Sequence, residues 1–349
     1  MKKNLIALAV LAAAGAASAQ SSVQLYGIAD VWVGGTKATG SKAQTVVESG
    51  GVSGSRWGLK GSEDLGGGLK AIFTLEQGFA LDTGKADSGF NREASVGLAG
   101  NFGEVKMGRV NTPALSAWLT GSVFGTALGS GYSAGQNIFS PAGAGTAPAQ
   151  VFPTRYNGSI EYTTPSFNGL TARLYAVPKN DGSTDGTKNN AGVTDLGLAY
   201  NNGPLNVALS SQSLSAGTST VLSSTALQYN ASTNGGLVGQ DQNGTTEKNS
   251  KLVQNTLAAN YNFGAATVYG ALWTTKESYD LNTVGTTTAK RSGAMIGAKY
   301  AVSSAVDLMA SYAKADDKLL TADAKLFGLG VDYKLSKRTA LYARYADLN

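Results

Sequence analysis

The sequence predicts an all-β fold, a transmembrane antiparallel β-barrel, and three observations carry this prediction. Apolar and polar residues alternate in segments of about nine to eleven residues, the length that a tilted strand needs to cross a bilayer. The connections between these segments are alternately short and long, as in barrels whose tight turns all lie on one side of the membrane. All 7 prolines fall in turns or loops, where the missing proline N–H interrupts no strand pairing.

Residues 1–19 have the pattern of a secretory signal peptide. Two lysines precede an apolar run from Leu5 to Ala14, and Ala17-Ser18-Ala19 supplies the small residues of a cleavage site. The apolar run is too short to span a bilayer as a helix, which argues against a membrane anchor. We expect residues 20–349 to form a single barrel domain, because the same alternation continues to the end without a linker.

The composition removes several classes of function. Cysteine and histidine are both absent, so disulfides, thiolate nucleophiles, Ser-His and Cys-His catalysis and the usual transition-metal sites are unavailable. Without the signal peptide the chain has 26 basic and 23 acidic residues, and the basic residues are scattered singly. A nucleic-acid partner is therefore not expected. We predict no enzyme, no catalytic residue, no metal site and no cofactor, since no spacing indicates a Ser-Lys or paired-acid mechanism.

The first predicted strand, Val23 to Val33, illustrates the alternation. Leu25 shares one face with Val23, whereas Gln24 and Tyr26 lie on the other. Similar segments recur along the chain. The fifteen predicted strands lie near 23–33, 46–61, 68–80, 91–99, 103–110, 157–164, 169–177, 192–201, 204–214, 251–262, 265–276, 290–300, 305–315, 324–334 and 339–346.

The longest connection, about 111–153, is far longer than a usual hairpin loop, and such length is typical of a functional or a disordered segment. It carries Pro113, Trp118 and Phe124, and disordered loops are poor in aromatic residues. Its other large apolar residues are Leu119, Tyr132 and Phe139. We therefore predict that this loop folds inward against the barrel wall and constricts the lumen.

Four segments carry a family resemblance: 55–71 (SRWGLKGSEDLGGGLKA), 23–27 (VQLYG), 159–170 (SIEYTTPSFNGL) and 331–339 (VDYKLSKRT). Together they resemble the beta-proteobacterial general diffusion porins, a family of Gram-negative trimeric porins. The resemblance implies a sixteen-stranded barrel in the outer membrane, assembled as a homotrimer. It also implies a water-filled channel for small hydrophilic solutes and ions, narrowed in each subunit by the third loop, with outer-membrane lipid and lipopolysaccharide as surroundings.

The chain departs from the family at its end. Family members finish with a sixteenth strand and a C-terminal aromatic residue, whereas this chain ends at Ala346-Asp347-Leu348-Asn349. An open barrel would leave unpaired backbone groups in lipid, each costing several kcal/mol. We therefore expect a truncated or incompletely determined gene product whose last strand is missing. The alternative is that two strands have been merged in the stretch 215–250 and that the barrel closes in another way.

Alternation also predicts which basic residues line the pore. Arg56 and Lys60 lie opposite Trp57 and Leu59, and a cation on the lipid face would cost about 2 to 4 kcal/mol at the midplane. The same argument directs Arg173 inward. It also directs Arg155 inward, on the same parity as Ser159 and Glu161 and opposite Ile160 and Tyr162. The assignment of Arg92 to the basic constriction is implied by the family resemblance alone.

The long loop offers these cations no balancing charge. Between Glu104 and Glu161 the sequence contains no Asp or Glu, so an uncompensated positive ring predicts a preference for anions. Four lumen carboxylates are expected to weaken this preference for anions: Asp30, Glu76, Glu161 and Asp195. For each arginine the alternative is a solvated charge without a selective role. The alternative functions are a plugged barrel acting as an adhesin and a substrate-specific sugar channel.

Overall fold

The computed structural model of the protein describes residues 22–37, 41–132, 155–179, 191–216, 219–220, 246–281, 285–318 and 322–349. The predicted signal peptide, the long loop beyond residue 132 and most of the stretch 215–250 lie outside the described residues. Within the described ranges, no helix is long and apolar enough to cross a membrane.

Strands make up most of the described residues, and one short helix, α1 (Pro113–Gly121), lies in the long loop. The strands are β1 (Ser22–Ile28), β2 (Val31–Thr36), β3 (Gln44–Ser49), β4 (Arg56–Gly66), β5 (Leu69–Gly78), β6 (Glu93–Gly100), β7 (Gly103–Asn111), β8 (Arg155–Thr163), β9 (Leu170–Val177), β10 (Ala191–Asn202), β11 (Leu205–Ala216), β12 (Ser219–Thr220), β13 (Thr246–Asn262), β14 (Ala266–Leu281), β15 (Gly285–Ala301), β16 (Val306–Asp317), β17 (Ala322–Lys334) and β18 (Ala340–Leu348).

Fifteen of these strands form one continuous antiparallel path that follows the chain order from β1 through β4 to β11 and from β13 to β18. Each overlaps one of the fifteen predicted segments, so the all-β prediction and its strand count are confirmed for this path. Strand β12 pairs with β13 beside the path, and β2 pairs with β3 as a separate hairpin.

Two predicted strands were drawn too long, because the segments 23–33 and 46–61 each break. The segment 23–33 breaks at Asp30, and the segment 46–61 breaks between β3 and β4. The carboxylate of Asp30 accepts hydrogen bonds from the backbone N–H groups of Val52 (2.9 Å) and Ser53 (2.7 Å), which lie in the second break. The Asp30 N–H donates to Ser55 Oγ at 3.0 Å. These side-chain bonds replace the strand ladder, so β2 and β3 leave the main sheet as their own hairpin.

The sheet curls until its two ends approach each other. Tyr342 on β18, at one end of the path, donates through its hydroxyl to Asp30 Oδ1 at 2.6 Å, and Asp30 directly follows β1 at the other end. Helix α1 contacts strands from β10 to β15, so it lies inside this curve. The face that touches α1 is therefore the inner face.

The alternation along the strands is inverted relative to a water-soluble protein. Inner side chains such as Gln212, Gln254 and Thr256 are polar and almost completely buried, whereas Leu174, on the outer face of β9, is 53% exposed. Outward apolar and inward polar residues in antiparallel strands are the arrangement of a barrel surrounded by lipid. The backbone groups pair between strands, as they must where no water is available.

The first prediction compares two equally exposed leucines. Leu174 lies in the middle of β9 and is 53% exposed, and Leu335 lies in the β17–β18 turn and is 55% exposed. Leu174→Arg should lower the free energy of unfolding in lipid vesicles by about 2 to 4 kcal/mol, because it places a charge in the hydrocarbon. Leu335→Arg should change it by under about 1 kcal/mol. Equal losses in urea titrations would contradict a lipid-facing β9.

Candidate functional site

Helix α1 begins at a site built from the neighbouring strands. Thr112 is the N-cap, its side chain accepts a hydrogen bond from the helix backbone, and Pro113 occupies the first turn, where its missing N–H costs nothing. The carboxylate of Asp195, on β10, accepts from the Ala114 N–H at 2.9 Å and from Ser210 Oγ at 2.7 Å. Asp195 is only 2% exposed, so a buried anion holds the positive end of the helix.

Arg173, which lies on β9, holds the same end of the long loop. Its guanidinium donates to Ser116 Oγ on α1 at 2.6 Å and to the Asn111 carbonyl at 2.8 Å, and it also pairs with Glu161 on β8. The side chain therefore points to the inner face, as alternation predicts. Its contacts make it an anchor for the loop as well as a lumen charge.

The middle of α1 packs into the opposite wall through Trp118. The Trp118 ring meets Trp273 of β14 edge to face, with ring centroids 5.7 Å apart, and lies 6.1 Å from Tyr132. Its indole N–H donates to the Gly125 carbonyl at 2.9 Å. A Cβ on Gly121 would lie 2.7 Å from the Gly270 carbonyl oxygen, so the helix touches the β14 backbone. The predicted inward-facing Trp118 is thus buried against the wall.

The chain after α1 continues along the inner face. Phe124 packs with Met309 of β16, and the Leu128 N–H donates to the Gly51 carbonyl at 2.9 Å. We call residues 112–132 the inner segment. It runs from β10 past β13 and β14 to β16 and Gly51, so it covers one side of the lumen. None of its residues is charged.

The opposite side, formed by β4 to β8, carries the predicted cations. Arg56 and Arg92, which we call the arginine pair, share one carboxylate: Glu76 lies 3.4 Å from Arg56 Nε and 2.7 Å from Arg92 Nε. Tyr26 donates to the same carboxylate at 3.0 Å, and the ammonium of Lys60 lies 5.3 Å from the Tyr26 ring. Two guanidinium groups and one carboxylate leave a surplus positive charge. The structure therefore brings three of the five predicted basic residues together.

The alternation used for Arg155 is interrupted by a β-bulge. The β7–β8 register shifts between Gly108 and Val110, and Tyr156, which strict alternation places opposite Ser159, is buried with it. Arg155 donates from Nε to Asn111 Oδ1 at 3.1 Å. It lies beside the Arg173 anchor, because Asn111 contacts both arginines.

Sequence reasoning missed Arg109, which lies opposite the two bulged residues of β8. Arg109 has the parity of the lipid-facing Met107, yet its guanidinium bonds the Asn91 carbonyl and Asn157 Oδ1 (2.6 Å). A signal exists in the two glycines of the bulge, Gly108 with φ 129° and Gly158 with φ 61°. Glycine inside a strand marks a bulge, after which alternation must be counted afresh.

Each of the four carboxylates expected to weaken the anion preference has a hydrogen-bond or ion-pair partner. Asp195 holds α1, Glu161 pairs with Arg173, Glu76 lies between the arginine pair, and Asp30 bonds Val52, Ser53 and Tyr342. Each carboxylate therefore has a positioning contact. Glu93 of β6, which accepts from Ser95 Oγ at 3.0 Å, adds one more carboxylate, and Arg56, Lys60, Arg92 and Arg155 outnumber it and Glu76.

Comparison with known proteins decides the family. The Gram-negative porin family model matches residues 6–349. The chain belongs to this family. Outer membrane porin protein 32 of Delftia acidovorans is 39% identical over 353 residues, covering 100% of this chain and 90% of that protein. An outer membrane porin protein of Bordetella pertussis is 32% identical, covering 98% of this chain and 93% of its own length.

Solved structures agree with the fold. The anion-selective porin from Comamonas acidovorans superimposes with a TM-score of 0.74 at 31% identity, covering 94% of this chain and 89% of that one. The trimer form of OmpT from Vibrio cholerae has a TM-score of 0.65 at 16% identity, with coverage of 94% and 89%, and shows the fold alone. This porin is an outer-membrane β-barrel, and its family is one of channels rather than enzymes.

The second prediction concerns the packing of the inner segment. Trp118→Ala should weaken that packing by about 3 to 5 kcal/mol, because a large buried side chain is lost from the contact with Trp273. The measurement is the rate of proteolytic cleavage within residues 112–132 of the folded porin, which should rise. Leu119→Ala, on the exposed side of the same helix, is the control and should leave the rate unchanged. Equal cleavage of both variants would contradict the packing described above.

Proposed function

We propose that this porin is a general diffusion channel that prefers anions, and that the arginine pair is the main source of the preference. The observation that carries the proposal is one-sided charge. Arg56 and Arg92 share a single carboxylate, and the inner segment across the lumen contributes no charge at all. An uncompensated positive surface in a narrow aqueous passage lowers the energy of an anion and raises that of a cation.

The geometry favours a long-range electrostatic attraction for anions over a tight anion-binding site. The arginine pair is held by Glu76, so both guanidinium groups keep fixed positions without being neutralised together. Lys60 is exposed near Tyr26 and extends the positive surface along β4. Passing ions would be attracted within about 8 to 10 Å at physiological salt, which covers the width of a constriction.

The alternative functions are less well supported. A plugged barrel needs its interior filled, whereas the described part of the long loop follows the side of β10 to β16. A sugar channel needs aromatic faces available to solutes. Trp118 and Trp273 instead pack on each other and are 2% and 3% exposed. The name of the Comamonas relative, an anion-selective porin, supports the anion preference by likeness.

The third prediction tests the arginine pair. Arg56→Gln combined with Arg92→Gln should lower the anion-to-cation permeability ratio by about fivefold, because two charges are removed within a few ångströms of passing ions. The measurement is the reversal potential of single channels in a planar bilayer under a KCl gradient. The matched control, Lys337→Gln with Arg338→Gln, removes two charges from an exposed turn and should leave the ratio unchanged.

A third variant should change the anion preference in the opposite direction. Glu76→Gln removes the shared carboxylate and should raise anion preference, although the guanidinium groups lose their common partner. A wild-type channel that prefers cations would contradict the proposal. So would an arginine double variant with the selectivity of the wild type.

We also propose that the porin assembles as a homotrimer. The support is the trimeric form of the OmpT fold relative and the long apolar outer surface, on which Val23 and Leu25 of β1 are 65% and 69% exposed. Such exposed side chains must meet lipid or another subunit.

The fourth prediction is that insertion into a planar bilayer gives currents in three equal steps that close independently. Native mass spectrometry in a mild detergent should give three times the mass of the mature chain. Single steps together with a monomer mass would contradict the trimer while leaving the selectivity of each pore testable.

A further inference from the structure

Phe124, just after helix α1, packs into a socket on the barrel wall. Its side chain is 5% exposed and lies against Met309 of β16. Two inner-facing glycines of β17 make room for the ring. A Cβ on Gly328 would lie 2.9 Å from Phe124 Cε2, and a Cβ on Gly330 would lie 2.6 Å from Phe124 Cε1. We call Met309, Gly328 and Gly330 the phenylalanine socket.

Arg344 of β18 closes one side of this socket. It lies directly opposite Gly330 in the strand register, and its guanidinium carbon is 5.4 Å from the centre of the Phe124 ring. An aromatic ring attracts a cation at this distance, and the attraction is stronger where water is excluded. The Arg344 side chain is 5% exposed, so its contact with Phe124 is shielded from water.

Hydrogen bonds hold the guanidinium of Arg344 in one position. It donates to Asp332 Oδ1 at 2.6 Å and to the carbonyls of Val331 and Ala343, each at 3.0 Å. All three acceptors lie on β17 and β18, so the group is fixed to the wall on one side and contacts Phe124 on the other. Because Asp332 balances its charge and little of it is exposed, Arg344 adds little to the attraction for permeating anions.

Strand β18 also links the inner segment to the other end of the main sheet. Tyr342, two residues before Arg344, donates to Asp30 Oδ1 at 2.6 Å, and its ring centre lies 5.5 Å from the Arg344 guanidinium carbon. A Cβ on Gly51 would overlap the Tyr342 hydroxyl, and the Gly51 carbonyl accepts from the Leu128 N–H at 2.9 Å. Residues 122–132, the far end of the inner segment, therefore rest on β16 to β18 and on the chain just before β4.

The far end has no regular structure that would fix its path by itself. The Ala127 N–H donates to the Phe124 carbonyl at 2.9 Å, and the Ser130 N–H donates to the Ala127 carbonyl at 3.0 Å, so tight turns succeed one another. Gly125 and Gly129 have φ of 58° and 90°, which glycine adopts at no steric cost. Contacts with the wall must therefore set the position of this end.

We propose that Arg344 is a positioning residue for the channel. By holding Phe124 in its socket, it sets how far residues 122–132 project into the lumen. The role requires a flat group that meets the ring while its fork pairs with Asp332, and a lysine ammonium cannot do both. The inference rests on the channel function proposed above but not on the preference for anions.

The fifth prediction uses the absence of cysteine from the chain, because a single introduced thiol then reports local opening. Ala127→Cys places a thiol beside the socket, where the alanine is 3% exposed, and Ala117→Cys places one in α1, where the alanine is 1% exposed. In the refolded porin, Arg344→Gln should speed labelling at position 127 by a water-soluble methanethiosulfonate about tenfold, because the contact with Phe124 is lost. Labelling at position 117 should stay slow.

Two further variants give the comparison its controls. Arg344→Lys keeps the charge but loses the flat fork, so it should also speed labelling at position 127. Arg338→Gln removes an exposed arginine from the β17–β18 turn and should leave labelling unchanged. Phe124→Leu removes the ring without altering β18, so it should act as Arg344→Gln does and replaces that variant should it fold poorly.

Single channels in a planar bilayer supply a second readout. A loosened far end should enter the passage more often, so Arg344→Gln channels should show about ten times as many brief closures as the wild type. Their reversal potential under a KCl gradient should equal that of the wild type, because Arg344 acts through position and not through charge.

Four results would overturn the role of Arg344. One is unchanged labelling at position 127 in Arg344→Gln, and another is an equal increase at position 117, which would indicate general loosening of the barrel. The third is wild-type behaviour of Arg344→Lys beside an altered Arg344→Gln, which would leave charge as the cause. The fourth is a shifted reversal potential in Arg344→Gln. A wild-type channel without anion preference would contradict the function proposed above and leave the labelling comparison intact.

Discussion

The course of the chain through the lumen depends on one buried carboxylate, Asp195, at the start of helix α1. A helix N-terminus presents unpaired N–H groups and a partial positive charge, and Asp195 accepts from Ala114 while Ser210 orients it from the neighbouring strand. Because α1 starts there, it packs along β10 to β15 and brings Trp118 against Trp273. In the part of the loop that the structure describes, the side of the lumen that the chain covers is thus a consequence of where the helix is capped.

The basic residues divide into two roles according to their partners. Arg173 donates to Ser116, to the Asn111 carbonyl and to Glu161, so most of its hydrogen-bonding capacity holds the loop in place. Arg56 donates to Ser53 Oγ and to the Gly54 carbonyl and shares Glu76 with Arg92, so none of these partners lies on the inner segment. The sequence alone does not distinguish the roles of these arginines. Contacts separate them, because Arg173 holds the inner segment, whereas these partners of Arg56 and Arg92 lie on the barrel wall.

Much of the fold follows from sequence because alternation with a period of two is a local property that lipid enforces on every strand. The fifteen strands of the main path and the inward direction of Arg56 and Arg173 were therefore predictable. The failures all involve pairing between distant residues. Asp30 breaks its strand by bonding Val52 and Ser53, and the extra residue of the β7–β8 bulge puts Tyr156 on the same buried face as Ser159. Neither event leaves a periodic pattern in the sequence.

Neighbouring like charges on a sheet repel each other, and on the inner face of this barrel the carboxylate of Glu76 lies between Arg56 and Arg92. A permeating anion must be attracted to the arginines and still be able to leave them. Glu76 holds both Arg56 and Arg92 in place, but its single negative charge balances only one of them. A second carboxylate would order the arginines equally well but would remove the attraction for permeating anions.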